Sequence, residues 1–114
     1  MRAGATPPVF GAPPAGVAPR ERRAAYAVVA GADGRVAAVR GRAGRYWLPG
    51  GGSRDGETPE ATVLREIREE LGREACVGDR IATAVQHFHA ADDGCWYAMT
   101  AVFLRAGLVG GASG

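Results

Sequence analysis

The apolar positions of this chain fall into blocks separated by glycine and proline. Ala24 to Ala30 (AAYAVVA) combines small, β-branched and aromatic residues, a composition that predicts a strand. Ala32-Asp33-Gly34 has hairpin-turn chemistry, so Arg35 to Arg40 is expected to return as a second strand. Tyr46-Trp47-Leu48 is a short apolar run halted by Pro49 and by Gly50, Gly51 and Gly52, which permit close backbone approaches that side chains block. The period then changes. Val63, Leu64, Ile67 and Leu71 lie on one arc at about 100° per residue, which predicts a helix. Thr58 suits its N-cap, Pro59 its first position, Glu60 the positive end of its dipole, and Gly72 its C-terminal cap. Ile81 to Phe88 and Cys95 to Leu104 read as two further strands joined through Ala90 to Gly94. Residues 1–20 carry proline pairs at 7/8 and 13/14 without any period, which predicts a flexible or extended arm, with Phe10 and Val17 able to drape on the domain. The expected organisation is an arm over 1–20, one domain over 21–105 and a glycine-rich tail over 106–114.

Composition narrows the function classes. A chain of 114 residues has room for one domain, and 14 basic against 12 acidic residues give a net charge of only +2. Electrostatics therefore supply no reason to expect a nucleic-acid polymer or a membrane surface as partner. No stretch approaches the roughly 18 uninterrupted apolar residues of a membrane span, so a soluble protein is expected. Cys76 and Cys95 lack metal-ligand spacing and no leader precedes them, which points to free, buried thiols in a reducing cytoplasm.

The acidic residues are not spread evenly. Six of the seven glutamates fall between 57 and 74, and the expected helix sets Glu66, Glu69 and Glu70 at i, i+3 and i+4 on one face. The plainer reading is a salt-bridged surface helix. Glu69 has Arg65 and Arg73 four residues to either side, but Glu66 has no basic neighbour at helical spacing. Like charges so placed cost an isolated helix about 0.2–0.5 kcal/mol per pair, a penalty that a bound cation would offset. Carboxylates without nearby Cys or His are hard ligands, suited to Mg²⁺ or Mn²⁺ and poorly suited to Zn²⁺.

Gly51, Glu57, Arg65, Glu66, Ile67, Glu69, Glu70 and Gly72 stand at the spacing of the Nudix box, so that residues 51–73 resemble the signature of the Nudix (MutT-like) hydrolases. Arg73 departs from it, replacing an aliphatic residue. The resemblance implies an α/β fold, a Nudix-like α/β/α sandwich around a mixed sheet. It also implies Mg²⁺-dependent hydrolysis of a diphosphate (pyrophosphate) linkage in a nucleoside diphosphate derivative. Carried over by position, Glu69 and Glu70 would be the principal metal ligands, Glu66 a further ligand or the base that activates water, and the Gly50 carbonyl an additional ligand. Arg65 would hold a neighbouring glutamate, and Glu57 would brace the loop at Gly51 against the helix. Arg73 leaves these positions untouched and is expected to affect local stability, with a Glu69–Arg73 pair as one outcome.

Other candidates are weaker. A Walker-type phosphate loop is excluded because Glu57 follows Gly56 where that motif requires Lys. Tyr46 and Trp47 are candidates to stack on a base, against the plainer reading of aromatics in a core. His87 and His89 share one face of a strand, where they would line a cleft or simply meet solvent. Nudix domains ordinarily add more sheet and a second helix beyond the strand at Cys95 to Leu104, and no Asp or Glu follows Asp93. The C-terminal part of the fold is thus expected to be truncated, with an uncovered sheet face favouring a homo-oligomer. The alternative function is a catalytically impaired Nudix-like module that binds nucleotide and metal, and a third reading is a structural helix in an interaction domain.

Overall fold

The computed structural model describes residues 6–31, 33–40 and 45–110, apart from the side chain of Arg40. Its elements in chain order are β1 (Val9–Phe10), β2 (Arg20–Val29), β3 (Val39–Arg40), β4 (Tyr46–Trp47), β5 (Gly50–Gly52), α1 (Pro59–Leu71), β6 (Ala75–Ala90) and β7 (Cys95–Leu108). Five strands form one mixed sheet in the order β1-β6-β7-β2-β5, and β3-β4 form a separate pair. β2 runs parallel to β7 and antiparallel to β5, while β6 and β7 form a long antiparallel hairpin.

The helix forms where its capping residues put it. Thr58 adopts an extended backbone and its hydroxyl accepts a hydrogen bond from the Ala61 amide at 3.1 Å, while Gly72 takes the left-handed conformation with φ 64°. Val63 and Ile67 are wholly buried against Ala25, Ala27 and Val29 of β2 and Leu104 of β7. The alanines of β2 let the helix lie close to the sheet. Leu64 and Leu71 of the expected arc are only partly buried, because Thr62 takes a wholly buried place beside Val63. With a period of two, Tyr26 and Val28 face the opposite side of the sheet.

Several expectations change. The arm is not free along its length: Val9 and Phe10 add to β6 as a parallel edge strand, with Val9 opposite Val85 and Phe10 opposite Gln86. The expected return strand at 35–40 is split. Val36 makes one bridge to Ala30, and Val39–Arg40 leaves to pair with Tyr46–Trp47. Asp33 and Gly34 do form a turn, in which the Gly34 amide donates to the Gly31 carbonyl, whereas Ala32 lies outside the described residues. β6 begins earlier than Ile81, since Ala75 to Val77 already pair with β7; the polar stretch Gly78-Asp79-Arg80 hides this and coincides with shifts in register. Both cysteines are free, but neither is buried: Cys76 is exposed on its strand and Cys95 is half-buried.

Among the described residues α1 is the single helix, and it covers one face of the sheet. The opposite face carries Tyr26 stacked on Phe103, ring centroids 5.8 Å apart. No helix among the described residues is long and apolar enough to cross a membrane. Because Ile67 joins helix to sheet with no exposed surface, Ile67→Ala is expected to destabilise the fold by about 2–5 kcal/mol in chemical denaturation, while Val36→Ala, at 47% exposure, costs less than about 1 kcal/mol.

Candidate active site

The glycine bend of β5 and the acidic face of α1 meet at the edge of the sheet. Gly50 has φ 147°, and a Cβ there would lie 2.7 Å from the Tyr26 Cα, so only glycine lets the chain turn in against β2. At Gly51 a Cβ would stand 2.5 Å from a carboxylate oxygen of Glu66. The bend thus leaves the space into which the helix carboxylates project.

Arg65 ties loop and helix together. Its Nε and Nη2 donate to the two oxygens of Glu57 at 2.8 and 2.9 Å, and Nη2 also donates to the Gly52 carbonyl at 2.9 Å. Its Nη1 reaches Glu66 at 3.2 Å and Glu69 at 3.5 Å. The Arg65 and Glu57 side chains are only 17% and 14% exposed. Hydrogen bonds from Arg65 hold the Glu57 carboxyl well below the usual carboxylate range, helped by the Arg54 amide and the Thr62 hydroxyl. Glu66 does have a cationic partner, then, but at i−1, reached because the guanidinium folds back over its own helix. Glu70 accepts from the Gly50 amide at 3.0 Å. Its pKa is nonetheless raised, chiefly by burial and further by the negative charges of Glu66 and Glu69.

Thr62 was not legible as part of this assembly. Its buried hydroxyl lies 2.9 Å from Glu57, 3.0 Å from the Thr58 carbonyl and 2.7 Å from the Ser53 hydroxyl, joining the loop to the first turn of the helix. A hydroxyl standing next to Val63 on the buried side was the available signal. Arg73 does not pair with Glu69; it donates to the Gly110 carbonyl at 3.2 Å, while Glu69 faces Arg65 and, at 3.7 Å, Arg54.

The sheet face away from α1 holds a groove of about 340 Å³ whose walls include Phe10, Tyr26, Trp47, Leu48, Gln86 and Phe103. Tyr26 links groove and acidic turn: its ring abuts Gly50, and its pKa is raised by burial and by the charges of Glu66 and Glu70. Trp47 therefore joins the candidate site, whereas Tyr46 is 67% exposed and outside the groove. His87 and His89 do not enter it either. They alternate with Gln86 along β6, the His87 ring donating to the Gly11 carbonyl at 3.2 Å and His89 tilting against Trp96.

Among the described residues no three Asp, Glu, His or Cys side chains form a ready-made metal cage. Arg65 sits between two of the carboxylates and the Gly50 amide holds the third. The donor set is still of the kind a hard divalent ion takes, and the crowding of negative charge around Glu70 is what such an ion relieves.

The NUDIX domain model matches residues 20–110. The chain belongs to the Nudix family. Within this Nudix domain, a 42-residue segment is 52% identical to a Mycobacterium tuberculosis protein provisionally named 8-oxo-dGTP diphosphatase 2, covering 34% of the chain and 30% of that relative. An ADP-ribose pyrophosphatase from Streptococcus suis superposes with TM-score 0.62 at 20% identity, over 82% of this chain and 64% of that one. The MutT protein of Methanosarcina mazei gives 0.64 at 24% identity, over 83% and 70%. At such identities the structures speak for the fold, which is the mixed sheet and helix seen here. The chain spans less than two thirds of the length of the first two relatives.

Glu57 allows a test by pH. A glutamate in the unfolded chain titrates near pH 4.3; in the folded protein Glu57 stays ionised well below that. Its contribution to stability is present above about pH 4.3 and is lost as pH falls toward the folded value. The melting temperature of the wild type should exceed that of Glu57→Gln at pH 7, and the gap should narrow progressively as pH falls below about 4. A gap independent of pH would show that Glu57 braces the loop through shape alone.

Proposed function

We propose that this Nudix domain hydrolyses the diphosphate linkage of a nucleoside diphosphate derivative with Mg²⁺, or Mn²⁺ in its place. The observation that carries this reading is the continuity of the acidic turn with the apolar groove through Tyr26. One end suits a metal-bound diphosphate and the other a nucleoside. Glu66, Glu69, Glu70 and the Gly50 carbonyl would hold the ion. When bound, it lowers the pKa of water, neutralises phosphate charge and orients the phosphorus for in-line attack.

The chain's own groups do the rest. Arg65 and Glu57 fix the loop relative to the helix, so that Gly50 to Gly52 keep their approach to the carboxylates. Glu70, its pKa raised chiefly by burial and further by the charges of Glu66 and Glu69, is a group whose ionisation a cation would favour. Glu66, with its carboxylate against Gly51 and Arg65 on its other flank, is placed to orient or deprotonate a water beside the loop. The Tyr26 ring, against Gly50 and lining the groove, stands where the two halves of the site would meet.

A second reading, a module that binds nucleotide and metal without turnover, is favoured by the Arg65 guanidinium 3.2 Å from Glu66, since an ion-paired carboxylate is a weaker base. A panel including 8-oxo-dGTP, ADP-ribose and a UDP-sugar separates the two. Metal-dependent release of product is expected, with Glu69→Gln inactive and Glu57→Gln lowered by about 10-fold to 100-fold, as for removal of a partner behind a ligand shell. Binding without any product would favour the module, and equal turnover by Glu69→Gln would remove the acidic turn from the chemistry.

A further inference from the structure

Phe10 belongs to the arm, yet it forms part of the wall of the groove. Two clamps deliver it there. On one side the Val85 amide donates to the Pro8 carbonyl at 2.9 Å, and on the other the His87 ring donates to the Gly11 carbonyl at 3.2 Å. Gly11 has φ 75°, and a Cβ on it would stand 2.8 Å from the His87 carbonyl oxygen, so the chain can cross β6 at this point only with glycine. The arm is thus held for two residues and then turned away, and the residue held over the groove is an aromatic one.

The ring is poorly covered. Phe10 is 57% exposed and Trp47, also lining the groove, is 55% exposed. Among the described residues neither ring is paired with another aromatic side chain. Large bare aromatic surfaces in one cavity are unfavourable in water and mark a binding surface. Gln86, opposite Phe10 in the β1–β6 register, adds an amide able both to donate and to accept. A flat, mostly apolar group with polar edges meets all three requirements, and a volume of about 340 Å³ is ample for it.

We propose that the N-terminal arm is a wall of the nucleotide site, with Phe10 stacking on the base of a bound nucleotide across the groove from Trp47 and Gln86 meeting its polar edge. This assignment rests on the nucleoside diphosphate reading and names the residues that hold the base. His87 and Gly11 act as positioning residues, holding the arm in place without touching the ligand.

The test uses guanosine and adenosine, which carry no phosphate and need no metal, with the chain in a Trp96→Phe background so that Trp47 is the sole tryptophan. Both nucleosides should quench its emission. Phe10→Ala should raise the dissociation constant about tenfold, the loss of one base–aromatic stack, and Phe10→Tyr should bring it back to within about twofold of the parent. Melting temperature should stay unchanged in Phe10→Ala, since the ring is largely exposed. Gly11→Ala, which dislodges the arm, should weaken binding as Phe10→Ala does. Failure of either nucleoside to quench, or a dissociation constant unmoved by Phe10→Ala, would overturn the proposal. Metal-dependent turnover of the substrate panel is measured separately, so loss of the arm's role would leave the hydrolytic reading standing, and a Phe10-dependent quench without turnover would do the reverse.

Discussion

The assembly depends on one ion pair, the guanidinium of Arg65 on the carboxylate of Glu57. It is a two-pronged contact, with Nε and Nη2 on separate oxygens, and both side chains are largely withdrawn from water. A planar fork fits a carboxylate in this way and a lysine does not. The same guanidinium reaches the Gly52 carbonyl, Glu66 and Glu69, so a single cation sets the loop, the helix and the carboxylates relative to one another. Thr62 and Ser53 complete the joint from below.

That joint also steadies the acidic face. Isolated like charges on a helix repel, and the charges of Glu66 and Glu69 add to burial in raising the pKa of Glu70. Arg65 offsets part of the repulsion between Glu66 and Glu69, and the Gly50 amide offsets part of it at Glu70. The carboxylates are kept close by contacts that a divalent ion could replace.

Much of this was legible in the residue order because it is local. Thr58, Pro59 and Gly72 bracket the helix by capping chemistry alone, and the spacing of Glu57, Arg65, Glu66, Glu69 and Glu70 marks the candidate site. What the order concealed is set by pairing between distant segments. Val9 and Phe10 become a strand only because β6 offers an open edge, and no periodicity in a two-residue element announces that. Arg35 to Arg40 looked like a return strand, yet its second half pairs with Tyr46 and Trp47 instead of β2. His87 and His89 were read as one face of a strand, which they are, but which face looks into the groove depends on register with β7. Tyr26 carries no signal within its apolar run, since only the approach of Gly50 sets it between the groove and the acidic turn.

The account's central claim is that carboxylates on one turn of α1 take a divalent cation above the glycine bend. Manganese binding followed by electron paramagnetic resonance, with magnesium as competitor, tests it without reference to any substrate. The wild type should sequester one equivalent that magnesium displaces, and Glu66→Gln, Glu69→Gln and Glu70→Gln should each weaken the uptake. Manganese that stays free in the wild type, or uptake indifferent to all three substitutions, would contradict it.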